Sequence, residues 1–160
     1  MNRENIKNQR VSFHNLTQEP YRLFFPQAIL AALAGVLLWP LHFAGIVAAY
    51  PGQNHARIMA GGFFGGFIFG FLGTAMPRML STDPLRGFAV VLLMAVHAAM
   101  VVCFATNHTV AGDLLLLVFL VAFAVPLIRR SRQRKDNPPP GFVLVGLGLA
   151  CMMTGAILGA

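Results

Sequence analysis

The feature that most constrains this chain is a series of five long apolar runs, separated by polar and basic segments. The runs cover about residues 23–44, 57–77, 87–106, 110–128 and 141–160. A helix rises about 1.5 Å per residue, so a run of about 20 residues crosses a hydrocarbon layer about 30 Å thick. The pattern therefore predicts an all-α, polytopic membrane bundle of about five transmembrane helices within residues 22–160.

The small share of charged side chains also indicates a surface that faces lipid. Charged residues make up 11% of the chain and hydrophobic residues 57%, whereas a soluble domain carries about 25% charged residues. The formal net charge of +7 would favour nucleic-acid binding in a soluble protein. Here the positive charges lie between apolar runs, so we expect the lipid bilayer as partner and no nucleic acid.

The distribution of lysine and arginine predicts the orientation in the membrane. Eleven of the twelve lie in the N-terminal tail, between the second and third runs, or between the fourth and fifth runs, and Arg57 is the exception. Basic loops are retained on the cytoplasmic side. We therefore expect a cytoplasmic N-terminus, with residues 1–21 as a basic cytoplasmic tail.

The fifth run continues to the last residue without a polar or aromatic flank. Transmembrane helices commonly end in interfacial aromatic or basic residues. We therefore expect this sequence to be the front part of a longer protein. The alternative is a short C-terminus on the outer side.

The second run is rich in glycine, and three of its glycines recur every four residues along one helix face: Gly62, Gly66 and Gly70. Small residues let membrane helices approach each other closely. One interpretation is therefore packing against a neighbouring helix, including that of a partner or a second copy in a homo-oligomer. The other is a flat wall for a planar cofactor, and the two are compatible.

Histidines are the main candidates for chemistry. His97 lies near the middle of the third run, where an ionisable residue is a functional candidate, although a neutral ring bonded to a neighbouring backbone would also explain it. Met59 follows His55 at i+4, so the two side chains face the same way. Imidazole and thioether groups bind haem iron and copper, which makes these residues candidate ligands.

Depth restricts which histidines can share a metal. His42, His55 and His108 lie at the outer ends of their runs, whereas His97 lies about 15 Å deeper. Two axial ligands of one haem must lie at similar depth. We therefore expect His55 to pair with His42 or His108, and His97 to be a separate ligand candidate.

Two charged residues lie near the outer ends of the runs. Arg57 is expected either to extend to the interface or to pair with an anionic group, and Asp113 to cap the fourth helix. Buried carboxylates are typical of proton relays and ion-coupled transporters. Because such carboxylates are scarce here, a small-molecule transporter is the least favoured function, and no catalytic residue is predicted.

Three segments resemble, in order, the NnrS family of membrane proteins: residues 19–26 (EPYRLFFP), 50–59 (YPGQNHARIM) and 66–78 (GFIFGFLGTAMPR). The resemblance covers about residues 19–86, and beyond it only the pattern of spans is similar. NnrS proteins are described as containing haem and copper and are associated with denitrification and nitric oxide stress. The resemblance implies a multi-pass protein of the bacterial inner membrane that binds haem, with copper as a further metal.

The family's motif at the opening of the second span reads His-Ala-His-Glu-Met. His55 and Met59 occupy the positions of its first His and its Met, whereas Arg57 and Ile58 stand where the second His and the Glu would be. This departure argues against a two-histidine site on one helix. The resemblance implies His55 as a haem or metal ligand. Arg57, which departs from the motif, is a candidate partner for an anionic group such as a haem propionate because it is the lone basic residue on its side.

These observations predict an NnrS-like membrane protein that binds haem and contributes to tolerance of nitric oxide or related nitrogen species. The alternative is a non-catalytic assembly or interaction module whose glycine-rich second helix docks another subunit.

Overall fold

The computed structural model describes residues 16–136 and 140–159. Within them, five helices are long and apolar enough to cross a membrane. They are α1 (Tyr21–Phe43), α2 (Gly52–Met79), α3 (Phe88–Ala105), α4 (Thr109–Arg132) and α5 (Phe142–Gly159). The all-helical class and the five spans predicted from the sequence are confirmed. Most of the predicted basic tail, and the proline-rich connector at 137–139, lie outside the described residues.

The ends of two helices differ from the predicted runs. α2 begins at Gly52, five residues before residue 57, because the carbonyl of Pro51 accepts a hydrogen bond from the N–H of His55 at 2.7 Å. The polar side chains of this first turn hid it from a criterion based on hydrophobicity. α4 continues past residue 128 to Arg132, since arginine is a good helix former in water as well.

Glycines hold α1 and α2 together at close range. A Cβ on Gly66 would lie 2.8 Å from the Cβ of Ala28, and one on Gly62 would lie 3.1 Å from the Cβ of Ala31. Farther along the same face, Gly70 lies against Phe24. The glycine stripe of α2 therefore packs against a helix of this same chain, as one interpretation of the sequence expected.

The first half of α2 contains π-helical turns over Ile58–Phe64. A π turn inserts an extra residue per turn and frees a carbonyl from the regular helical pattern. One such carbonyl, that of Gly61, accepts a hydrogen bond from the ring of His97 on α3 at 3.0 Å. The π turns therefore tie the middle of α2 to the middle of α3.

α3 and α4 form an antiparallel hairpin, and phenylalanine side chains from α1 to α4 fill the core of the bundle. Phe24, Phe69, Phe104, Phe119 and Phe123 are all completely buried. The rings of Phe69 and Phe119 lie 4.5 Å apart, edge to face, a favourable geometry for aromatic pairs. The core is thus a phenylalanine cluster in which α1, α2, α3 and α4 meet.

The two ends of the bundle differ in chemistry. We call the end with the α1–α2 and α3–α4 loops the histidine end, where Asn54 donates to Asn107 at 2.8 Å. We call the other the basic end, where the Arg130 side chain donates to the carbonyl of Asp83 at 2.7 Å. These contacts join the first turn of α2 to the α3–α4 loop and the end of α4 to the α2–α3 loop.

α5 packs on α4 and stands away from α2. Ala156 is its one buried residue among those described. A cavity of about 690 Å³ lies between α5 and the aromatic face of α2, and another of about 540 Å³ lies between α5 and α4 near the basic end. The last helix is therefore the least enclosed part of the described bundle.

Candidate functional site

Four aromatic side chains gather at the histidine end, where α1 passes into α2. They are Trp39, His42, Tyr50 and His55, here called the loop cluster. The Trp39 ring lies 5.6 Å from that of Tyr50 and 6.1 Å from that of His55, and the His42 ring lies 6.0 Å from that of Tyr50. The loop between α1 and α2 thus brings two histidines, 13 residues apart in sequence, into one group.

Both histidines of the loop cluster are held by the backbone through the same ring nitrogen. His42 Nδ1 lies 3.0 Å from the carbonyl oxygen of Val47, and His55 Nδ1 lies 2.9 Å from that of Gly35. A carbonyl only accepts, so each Nδ1 carries a proton, and the neutral form of each ring has its lone pair on Nε2. This is how metal-binding histidines are usually oriented.

Met59 lies beside His55, as its i+4 spacing predicted. A Cβ on Gly35 would lie 3.3 Å from the sulfur of Met59, while the carbonyl of the same Gly35 accepts from His55. The imidazole and the thioether therefore both face α1 around one glycine. A larger residue than glycine at position 35 would displace the sulfur.

His97 lies in the phenylalanine core. It is completely buried, and its ring lies 5.6 Å from Phe24, 5.9 Å from Phe69 and 5.3 Å from Phe119. Its Nε2 donates to the carbonyl of Gly61, while its Nδ1 has no partner among the described residues. These rings leave no room for a macrocycle, so the geometry favours the neutral, backbone-bonded interpretation.

His108 lies apart from the loop cluster. It precedes α4, its side chain is exposed, and its Nδ1 lies 3.0 Å from the hydroxyl of Thr106 in the same loop. Of the two partners that the sequence allowed for His55, the structure places His42, and not His108, in ring contact with the residues around His55.

Arg57 and Asp113 form an ion pair that joins α2 to α4. The Arg57 Nη2 lies 3.0 Å from Oδ2 of Asp113, and its Nε donates to both carboxylate oxygens at 3.1 and 3.2 Å. The same Nη2 donates to the carbonyl of Gly159 at the end of α5. Arg57 thus has an anionic partner within this chain, and it connects three helices.

Asp113 does not cap α4, contrary to our expectation. It is the fifth residue of that helix and makes no capping bond; its carboxylate, 2% exposed, faces Arg57. The pair was visible in the sequence as a lone cation and a lone acid at similar depth on neighbouring spans, a signal that we did not use.

His55 and Arg57 lie on different faces of α2. Two residues along a helix correspond to a rotation of about 200° around its axis, so the two side chains lie on nearly opposite faces. His55 contacts α1, whereas Arg57 contacts α4. In this structure Arg57 connects helices, and its role as a propionate partner stays a prediction.

The loop cluster, with the neighbouring Met59, contains the candidate metal donors of the described residues. Within residues 16–136 and 140–159, no three His, Cys, Asp or Glu side chains form a metal-binding group. The cluster offers two imidazole Nε2 atoms, and the neighbouring Met59 adds one thioether sulfur. Two imidazoles are the donor type that suits haem iron, and imidazole with thioether is the type that suits Cu(I).

Comparison with known families agrees with this architecture. The family model described as NnrS protein matches residues 15–160, so the similarity extends well past the segment in which the sequence motifs were seen and includes all five helices. No curated protein and no solved structure matches the chain. A match over nine-tenths of the sequence identifies the chain as a multi-pass membrane protein that belongs to the NnrS family.

Proposed function

We propose that this protein binds haem through His55 and His42 and contributes to tolerance of nitric oxide in denitrifying metabolism. The observation that carries the proposal is the pair of Nδ1 bonds to backbone carbonyls, at 2.9 and 3.0 Å, which leave both Nε2 atoms available. Haem iron would supply a centre that binds nitric oxide. NnrS membership supports the nitrogen-oxide role and a place in the bacterial inner membrane, and the distribution of lysine and arginine supports a cytoplasmic N-terminus.

The protein's own residues would orient and shield this group. Gly35 and Val47 fix the two rings, and Trp39 and Tyr50 lie between them. Because the Trp39 and Tyr50 rings lie between the histidines, haem binding requires these two side chains to move aside while the bond between His42 and Val47 is kept. Aromatic side chains at this level also suit the membrane interface.

Copper is the second candidate, and Met59 favours it. The sulfur of Met59 lies on the same side of α2 as His55, against Gly35. A soft thioether beside an imidazole selects Cu(I) over harder cations. A single ion would need far less movement of Trp39 and Tyr50 than a macrocycle would.

Spectra of protein purified from haem-replete cells test the proposal. Wild type should show a Soret band that is lost in His55→Gly and His42→Ala and kept in the control His108→Ala. Imidazole added to His55→Gly should restore the band, which a merely structural role of His55 would not allow. A colourless wild type without bound metal would overturn the proposal.

Metal analysis separates haem from copper. If copper is the resident metal, wild type should carry about one copper per chain, and Met59→Leu should lose it. If haem is resident, Met59→Leu should keep the full Soret band. Cells that produce wild type should resume growth after a nitric oxide donor sooner than cells that produce His55→Gly.

The alternative function is a non-catalytic interaction module that docks another subunit. A leucine at Gly66 would block docking through the glycine stripe of α2. Gly66 already lies against Ala28 of α1, so that change would disrupt the chain's own packing. A partner would have to contact α2 on another face.

A further inference from the structure

A groove between α4 and α5 opens at the basic end of the bundle. It encloses about 540 Å³ and is lined mainly by apolar side chains, among them Leu127, Val145, Leu149 and Met153. Ser131 and Arg132 lie at its mouth. The groove thus combines an apolar channel with a hydroxyl and a cation at one end.

The cation at the mouth is free to bind an anion. Arg130 donates to the carbonyls of Asp83 and Pro84, and Arg134 donates to the carbonyl of Ser131. Arg132 is exposed and makes no side-chain hydrogen bond or ion pair with any residue that the structure describes. Among the described residues Arg129 also makes no such bond, and of these two arginines only Arg132 lines the groove.

The surrounding charges also favour an anion. The segment 129–136 carries five cations and one acid, Asp136, whose carboxylate accepts from the hydroxyl of Ser81 at 2.5 Å. Basic clusters at the end of a transmembrane helix attract anionic lipids, by about 1 kcal/mol per cation. The charge at the mouth therefore matches a lipid phosphate.

The length of the groove matches one leaflet of a bilayer. Its lining on α5 runs from Phe142 to Met153, a rise of about 16 Å along a helix. Half of a hydrocarbon layer is about 15 Å thick. An acyl chain that starts beside Arg132 would end near the middle of the membrane, where this lining stops.

Gly146 keeps the groove open. A Cβ at this position would meet nothing within 4 Å, so the α5 backbone itself forms part of the groove's surface. Gly148 is equally open but lines the other cavity, between α5 and α2. That cavity carries no charged residue, so nothing identifies an occupant for it.

We propose that the α4–α5 groove is a binding site for an anionic phospholipid, with Arg132 and Ser131 on the headgroup phosphate and one acyl chain along Leu127 and Leu149. The site is separate from the loop cluster at the opposite end of the bundle. Its existence does not depend on haem or copper binding.

Native mass spectrometry of the full chain in detergent tests this site with added phosphatidylglycerol or phosphatidylcholine. We expect one phosphatidylglycerol to be retained with a Kd about fivefold or more below that of phosphatidylcholine. Arg132→Gln should remove this preference and Arg132→Lys should keep it. Arg134→Gln, a matched change outside the groove, should leave it intact.

A second pair of variants tests the groove itself. Gly146→Leu should weaken retention of both lipids, whereas Gly148→Leu, the same change on the other side of α5, should not. Equal retention of the two lipids by wild type would overturn the proposal, as would equal effects of the two arginine variants. Competition by millimolar inorganic phosphate, or a dimer that Gly146→Leu dissociates irrespective of lipid, would also overturn it.

Discussion

Arg57 and Asp113 show how a single charged pair can be tolerated near the end of a span. Asp113 is 2% exposed, whereas the Arg57 side chain keeps 23% of its surface accessible. The carboxylate accepts three contacts from one guanidinium, which compensates for the loss of its water. The buried charge of Asp113 therefore needs the ion pair more than the charge of Arg57 does, since Arg57 keeps contact with the surroundings of the bundle.

Asp113→Asn should destabilise the bundle, because it removes the only carboxylate that contacts Arg57 among the described residues. Breaking a fully buried pair costs about 3–5 kcal/mol, and since Arg57 can turn towards the interface we expect about 2 kcal/mol. Unfolding in mixed detergent micelles measures this change. The double variant Arg57→Leu/Asp113→Leu should recover most of the lost stability; if it is as unstable as the sum of its single variants, the pair is not the cause.

The candidate site was only partly predictable from the sequence. His55 and Met59 could be placed on one face because helical spacing is local. The choice of His42 over His108 could not be made, since it depends on how the loop before Tyr50 folds back. The isolation of His97 among phenylalanines was equally hidden, because contacts among α1, α2 and α4 determine it.

Close packing between α1 and α2 rests on the absence of side chains, so adding one methyl group at the contact should be costly. Gly66→Ala would place a Cβ 2.8 Å from that of Ala28, and overpacking of this kind costs about 1–3 kcal/mol. Gly148→Ala, on α5, meets nothing within 4 Å and should unfold like wild type. Thermal unfolding in one detergent compares them; equal midpoints for both variants would show that the contact tolerates the methyl group.

The helices themselves were largely predictable, for a physical reason. A helix needs about 20 apolar residues to cross a bilayer. Runs of this length can be counted directly in the sequence, which gave the number of spans and most of their ends. The π turns at Ile58–Phe64 had no such signal. They respond to long-range contacts, above all the bond between Gly61 and His97, which no local pattern encodes.

The bundle as a whole separates two kinds of chemistry along its axis. Histidines, a tryptophan and a tyrosine lie at one end, whereas five of the twelve basic residues lie in the segment 129–135 at the other. The phenylalanine core between them contains His97 as its single histidine. The candidate metal site and the proposed lipid site therefore lie at opposite ends of the bundle, with the phenylalanine core between them.

The orientation of this polarity in the membrane can be measured directly. Basic segments are retained in the cytoplasm, so the basic end should face inward and the histidine end outward. In a background lacking Cys103 and Cys151, Ala48→Cys in the exposed α1–α2 loop should react with a membrane-impermeant maleimide in intact spheroplasts. Gln133→Cys, exposed after α4, should react only after the membrane is permeabilised. The reverse pattern would place the histidines in the cytoplasm, and the loop cluster would then meet metal from the cytoplasmic pool instead of the periplasm.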